Sequence, residues 1–132
     1  MFDLGNLNPA VRFYWDEETD EWVEFRVMAD EDLRKLRKKC GRDKVEYRKV
    51  GKGAPQRFEY FEIDEDLLVE EINDFCIFNW RLLDTQGNEI PCTRENKNLL
   101  MGKEPRFAEW AAECLEQLRR DAELIKEKEE KN

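Results

Sequence analysis

Residues Phe75 to Met101, FCIFNWRLLDTQGNEIPCTRENKNLLM, narrow the possible folds more than any other stretch of this chain. An apolar run ending at Trp80 gives way to a polar turn, Asp84-Thr85-Gln86-Gly87-Asn88. Ile90-Pro91-Cys92 then leads to Thr93, a residue type suited to opening a helix. Upstream, Asp64 followed by Glu65 and Asp66 predicts another helix start. From there Leu68, Ile72, Phe75, Cys76 and Leu83 recur at helical spacing, and Phe78 and Trp80 widen the apolar surface. The reading is a central buried helix, a turn ended by Gly87, and a short helix from Thr93 through Met101 that stops at Gly102.

Two other regions alternate with strand periodicity. Phe13-Tyr14-Trp15 and Trp22 to Val27 flank an acidic turn, Asp16 to Glu21, and predict a β-hairpin. That turn lacks the glycine and the oxygen spacing of a calcium loop, so a solvated turn is expected. Lys44 to Val50 and Arg57 to Ile63 predict a second hairpin across the Gly51–Gln56 linker, its first strand basic and its second acidic. Between the hairpins, Asp30 to Cys40 predicts a helix with Leu33, Leu36 and Cys40 as its apolar stripe. At the far end, Pro105 opens a long amphipathic helix on which Phe107, Trp110, Ala111, Cys114, Leu115, Leu118, Ala122 and Ile125 share one face. The expected fold is therefore α+β and helix-dominant: two β-hairpins forming a small antiparallel sheet, packed with three to four helices. Residues 1–125 form a single domain in this reading, and 126–132 a charged, frayed tail.

Charge divides the chain into two unlike parts. Arg34 to Arg57 holds eleven Lys or Arg against two acids, a window of +9 within a chain of net charge −9, so the other residues together carry −18. A basic window with interleaved Tyr47 and Phe58 suits nucleic acid. The overall acidity weighs against it, and a surface that complements an acidic partner or the chain's own acidic residues is the simpler expectation. Cys40, Cys76, Cys92 and Cys114 are widely spread and the chain has no His, so no zinc motif is present and no cofactor is expected. Without His or Ser, the nucleophile–base arrangements of hydrolases cannot be built, and no phosphate-cradling glycine motif occurs. The expectation is a non-enzymatic cytoplasmic protein with no membrane association.

One resemblance adds to this. The turn W-x-L-x-D-x-x-G-x-x-I-P (Trp80, Leu82, Asp84, Gly87, Ile90, Pro91), the Thr93-Arg94-Glu95-Asn96 helix start, Leu99-Leu100 and the Phe107 helix follow one another within about Glu21 to Asp121. In this order they resemble the tail assembly chaperones of tailed bacteriophages and prophages. The resemblance implies a binding protein acting in a bacterial host cell. It would hold the long, helix-prone tape measure protein in solution and help recruit tail-tube subunits.

On that basis the expected contact surface is Trp110, Leu118 and Ile125 on the last helix, with Arg34, Arg37 and Lys38 steering an acidic partner. The alternatives are a small phage nucleic-acid-binding regulator using residues 34–57, or a structural tail component; self-association is open in each case.

Overall fold

The computed structural model describes the backbone of residues 9–130 and the side chains of residues 9–124. Strands β1 (Val11–Asp16) and β2 (Glu21–Phe25) form the first hairpin, with Val23 facing Phe13 and Phe25 facing Val11 across the ladder. Helix α1 (Asp30–Lys39) has no side-chain cap. Its start carries Asp30, Glu31 and Asp32 and its end Arg37, Lys38 and Lys39, both favourable to the helix dipole. Strands β3 (Gly41–Arg48) and β4 (Gln56–Ile63) form the second hairpin. Asp64 then caps α2 (Glu65–Cys76), its carboxylate accepting the Leu67 N–H at 3.2 Å.

Two sequence expectations are corrected here. The hairpins do not share a sheet: β1 and β2 join a third strand, β5 (Ile77–Arg81), in the order β1-β2-β5, while among the described residues β3 and β4 pair only with each other. The central helix is also shorter than its apolar spacing suggested. It ends at Cys76, and Ile77–Arg81 is strand β5, antiparallel to β2.

A β-bulge explains the second difference. Val23 pairs with Trp80 and Glu24 with Asn79, but Phe25 pairs with Ile77, so Phe78 is the extra residue. The insertion brings Ile77 and Trp80, three positions apart, onto the same buried face, and a three-residue step imitates a helix. The displaced Phe78 is exposed but lies beneath Arg26. That guanidinium stacks on Phe75 at 3.9 Å and Phe78 at 4.9 Å, while its Nε–H donates to the Phe75 carbonyl at 2.7 Å.

After β5 the chain turns at Asp84, whose carboxylate accepts the N–H groups of Gln86 and Asn88, each at 2.9 Å. Gly87 has φ of 81°, a conformation open to glycine at little cost. The Trp80 indole N–H donates to the Ile90 carbonyl at 2.7 Å, tying the turn back to the strand. Thr93 caps α3 (Arg94–Lys103) by accepting the Asn96 N–H at 3.2 Å. Helix α4 begins at Pro105 and is assigned to Glu130.

The core forms where α4 lies on the three-stranded sheet. Val23, Phe25, Ile77, Trp80 and Leu82 meet Phe107, Ala111 and Cys114, all buried. Removing the larger aliphatic and phenyl side chains among them from water contributes about 1.5–3 kcal/mol each. An aromatic shell closes one side: Trp110 stands at 5.1 Å from Trp15 and 5.5 Å from Phe25, centroid to centroid. Helices α1, α2 and α3 are joined by charge, since Glu71 on α2 binds Arg94 of α3 at 2.9 Å and Lys39 of α1 at 3.5 Å. The Arg94 hydrogen bond holds the Glu71 carboxyl below its ordinary pKa. Nearby, the buried Lys97 ammonium donates to the side chain and the carbonyl of Asp74, at 3.1 and 3.0 Å.

Candidate interaction surface

The β3–β4 hairpin is an arm that meets the rest of the molecule at its root, and its two faces differ. Directly opposed residues of an antiparallel pair share a face. One face holds Arg42 with Glu62, Lys44 with Tyr60, Glu46 with Phe58, and Arg48 with Gln56. Five of these groups, Lys44, Glu46, Arg48, Tyr60 and Glu62, satisfy one another. Lys44 pairs with Glu62, Arg48 binds Glu46 at 2.8 Å, and the Tyr60 hydroxyl donates to Glu46 at 2.6 Å. The Tyr60 hydrogen bond, with Arg48 second, lowers the Glu46 pKa, and the same bond raises that of Tyr60.

The opposite face holds Asp43 with Phe61, Val45 with Glu59, and Tyr47 with Arg57. Here Phe61, Val45 and Tyr47 are 48%, 47% and 66% exposed, forming an apolar row that none of the described residues covers. The row begins against the body. Phe61 lies over Gly41, where any Cβ would run into its ring, so Gly41 lets the ring settle on the strand at the end of α1. A mixed-charge cleft of about 580 Å³ opens at the same root, between Lys39–Arg42 and Glu62–Leu67.

The basic window is distributed over α1 and this arm. Of its eleven cations, Lys35, Lys39, Lys44, Arg48 and Arg57 pair with nearby carboxylates. Among the described residues, Arg34, Arg37, Lys38, Arg42, Lys49 and Lys52 have no such pair, and all six are exposed. The expected steering residues Arg34, Arg37 and Lys38 therefore stand together on α1, next to the arm.

The residues expected on the last helix are placed differently. Trp110 sits in the aromatic cluster with Trp15, Phe25 and Phe107, and Leu118 packs against the same core. Both are half-buried and turned toward the sheet, which does not suit a free contact surface. The Ile125 side chain lies outside the described residues. Beyond Leu118, Arg119 to Leu124 are exposed, with Leu124 at 56%.

Val45 and Phe61 were not singled out as contact residues by sequence reasoning. The available signal was apolar side chains on both parities of β4 (Phe58 and Tyr60 against Phe61), which a strand covered on one face does not need.

Among the described residues, no group of three His, Cys, Asp or Glu side chains is gathered as a metal ion would require, and no helix is long and apolar enough to cross a membrane. The four cysteines are free thiols, three of them buried. Burial raises the pKa of Cys76 and Cys92, and that of Cys114 to about 11. Raised thiols of this kind are poor nucleophiles near neutral pH. Comparison of the chain with protein-family models, curated proteins and solved structures finds no match.

Proposed function

We propose that this protein is a non-enzymatic binding protein, a tail assembly chaperone of the kind its sequence resembles, and that the β3–β4 arm is the surface it offers to its client. The observation that carries the reading is the open apolar row of Val45, Tyr47 and Phe61 on an arm beside a body whose own core is closed. A two-stranded ribbon is marginally stable by itself, and exposed apolar side chains in a row suit an apolar partner. The client is the tape measure protein, whose apolar helical segments would cover the row, with the tail-tube protein as a second partner. The reading assigns no catalytic role and no cofactor.

Co-expression with a tape measure protein encoded beside this chain, followed by pull-down from the soluble fraction, tests it. The client is expected to become soluble and co-purify with the wild type, and to be lost with Tyr47→Ser/Phe61→Ser. A client that stays insoluble beside the wild-type protein overturns the reading.

The six exposed, unpaired cations favour nucleic acid as the second reading. Phosphate contacts weaken steeply with salt, whereas apolar client binding does not, so the salt response of any captured partner separates the two.

A further inference from the structure

We propose that the open face of the three-stranded sheet binds single-stranded nucleic acid, holding bases on two layers in which a guanidinium already lies on an aromatic ring. The site is separate from the arm and its client and stands or falls without them.

Helix α4 covers one face of the β1-β2-β5 sheet. The other face has no such cover among the described residues, and Arg12, Tyr14 and Asn79 are exposed on it. Tyr14 stands opposite Trp22 and Trp22 opposite Arg81, while Arg12 stands opposite Glu24 and Glu24 opposite Asn79. The first layer lies here: the Arg12 guanidinium rests on the Trp22 ring at 3.7 Å and pairs with Glu24 at 3.5 Å. The second follows just past β2, where Arg26 lies 4.9 Å from the Phe78 ring and donates to the Phe75 carbonyl. The bulge takes Phe78 out of the alternation of β5 and leaves its ring 52% exposed. Bulges often re-aim a side chain toward a site in this way.

The ligand follows from the geometry. Bases stack on aromatic rings and on guanidinium planes alike. Each layer keeps one accessible member, the Arg12 side chain at 42% exposed in the first and the Phe78 ring in the second. Trp22 and Arg26 are four residues apart, about 13 Å along the strand. Bases of a duplex rise by about 3.4 Å and are covered on both sides, so only an unstacked strand can lay a base on each layer.

Phosphate attraction is minor at this face. Arg12 and Arg81 pair with Glu24 and Glu89, which leaves Arg26 as its one arginine without a carboxylate among the described residues. Glu17, Glu18 and Asp20, exposed on the β1–β2 turn at the far end, repel phosphate. With a net charge of −9, the chain as a whole exerts no long-range pull on a polyanion. Stacking must therefore supply most of the affinity, with the backbone entering from the Arg26 end.

Fluorescence anisotropy of a labelled oligothymidylate of about ten nucleotides, titrated with the wild-type chain, reads this directly. Binding is expected, and a duplex of the same length should bind at least about tenfold more weakly. Each neutralised phosphate contributes about −0.7 to the slope of log K against log salt, so a slope between about −1 and zero is expected. Trp22→Leu and Phe78→Ser should each weaken binding by about tenfold, the scale of one base–aromatic stack. Phe78 is exposed, so its variant should melt as the wild type does, which preserves the test if Trp22→Leu, at a half-buried position, is less stable.

A wild-type chain that does not bind the oligonucleotide overturns the proposal. So does a duplex bound equally well, or an affinity that neither substitution lowers. A steep salt slope with binding lost in Arg34→Glu/Arg37→Glu/Lys38→Glu also overturns it, and assigns nucleic acid to α1.

Discussion

Strands β2 and β3 have similar alternating sequences, and the fold treats them in opposite ways. In β2, Val23 and Phe25 are fully buried; in β3, Val45 and Tyr47 stand 47% and 66% exposed. Strand β2 is flanked by β1 and β5 and covered by α4, whereas β3 pairs with β4 alone. Alternation fixes which side chains share a face, but only a covering layer decides whether that face is core. One region has its layer within the chain, and the other presents the same kind of face with none of the described residues over it. Stability should therefore reside in the first region and binding in the second.

The sharpest way to break this comparison is to truncate one side chain in each region. Phe25→Ala should cost about 3–5 kcal/mol, because the ring is enclosed by Phe13 and Trp110 and leaves a cavity. Urea unfolding followed by circular dichroism measures it. A loss below about 1 kcal/mol would mean that the sheet–α4 layer is not the folding core.

A second test addresses the seam between α2 and α3. Lys97→Met keeps most of the side-chain volume but removes both hydrogen bonds to Asp74. The expected loss is about 1.5–3 kcal/mol, the range for hydrogen bonds to a charged group. An unchanged unfolding midpoint would show that burying the ammonium costs as much as its two bonds return.

The buried thiol in the core sets a pH limit on the layer that α4 forms with the sheet. Cys114 has its pKa raised from 9.0 to about 11 by burial, so the folded state favours the protonated form. Its contribution is complete below pH 9.0 and is lost as the pH rises from there toward about 11. Over that interval the wild type should lose stability more steeply than Cys114→Ala, as read from melting temperatures of the two proteins. Equal slopes would show that the thiol is not held in an apolar site.

Much of this contrast was legible in the residues, and the missing part has identifiable causes. Both hairpins, the Asp64 and Thr93 caps and the Pro105 helix start follow from local chemistry, which short-range rules capture. Strand β5 was hidden because the bulge at Phe78 gave Ile77 and Trp80 a helical step, and a bulge depends on the partner strand. The separation of the two sheets was equally invisible, since pairing between hairpins is a long-range choice. At the candidate site, the exposure of Arg34, Arg37 and Lys38 on one helix face was readable. The packing of Trp110 and Leu118 against the core was not, because an amphipathic stripe looks the same whether a sheet or a partner covers it.

The smallest expected stability effect carries the most information about the arm. Tyr47→Ser and Phe61→Ser should each change stability by no more than about 0.5 kcal/mol, because the side chains already stand in water. Hydrogen exchange makes the same point at the backbone. Amides of β3 and β4 should exchange faster than those of β2, whose two neighbours and helical cover must open together. If the serine variants instead lose several kcal/mol, or β3 is protected as well as β2, the arm is part of the core and its apolar row is not free to bind. If stability is unchanged while co-purification with the client is lost, folding and binding are divided between the two regions.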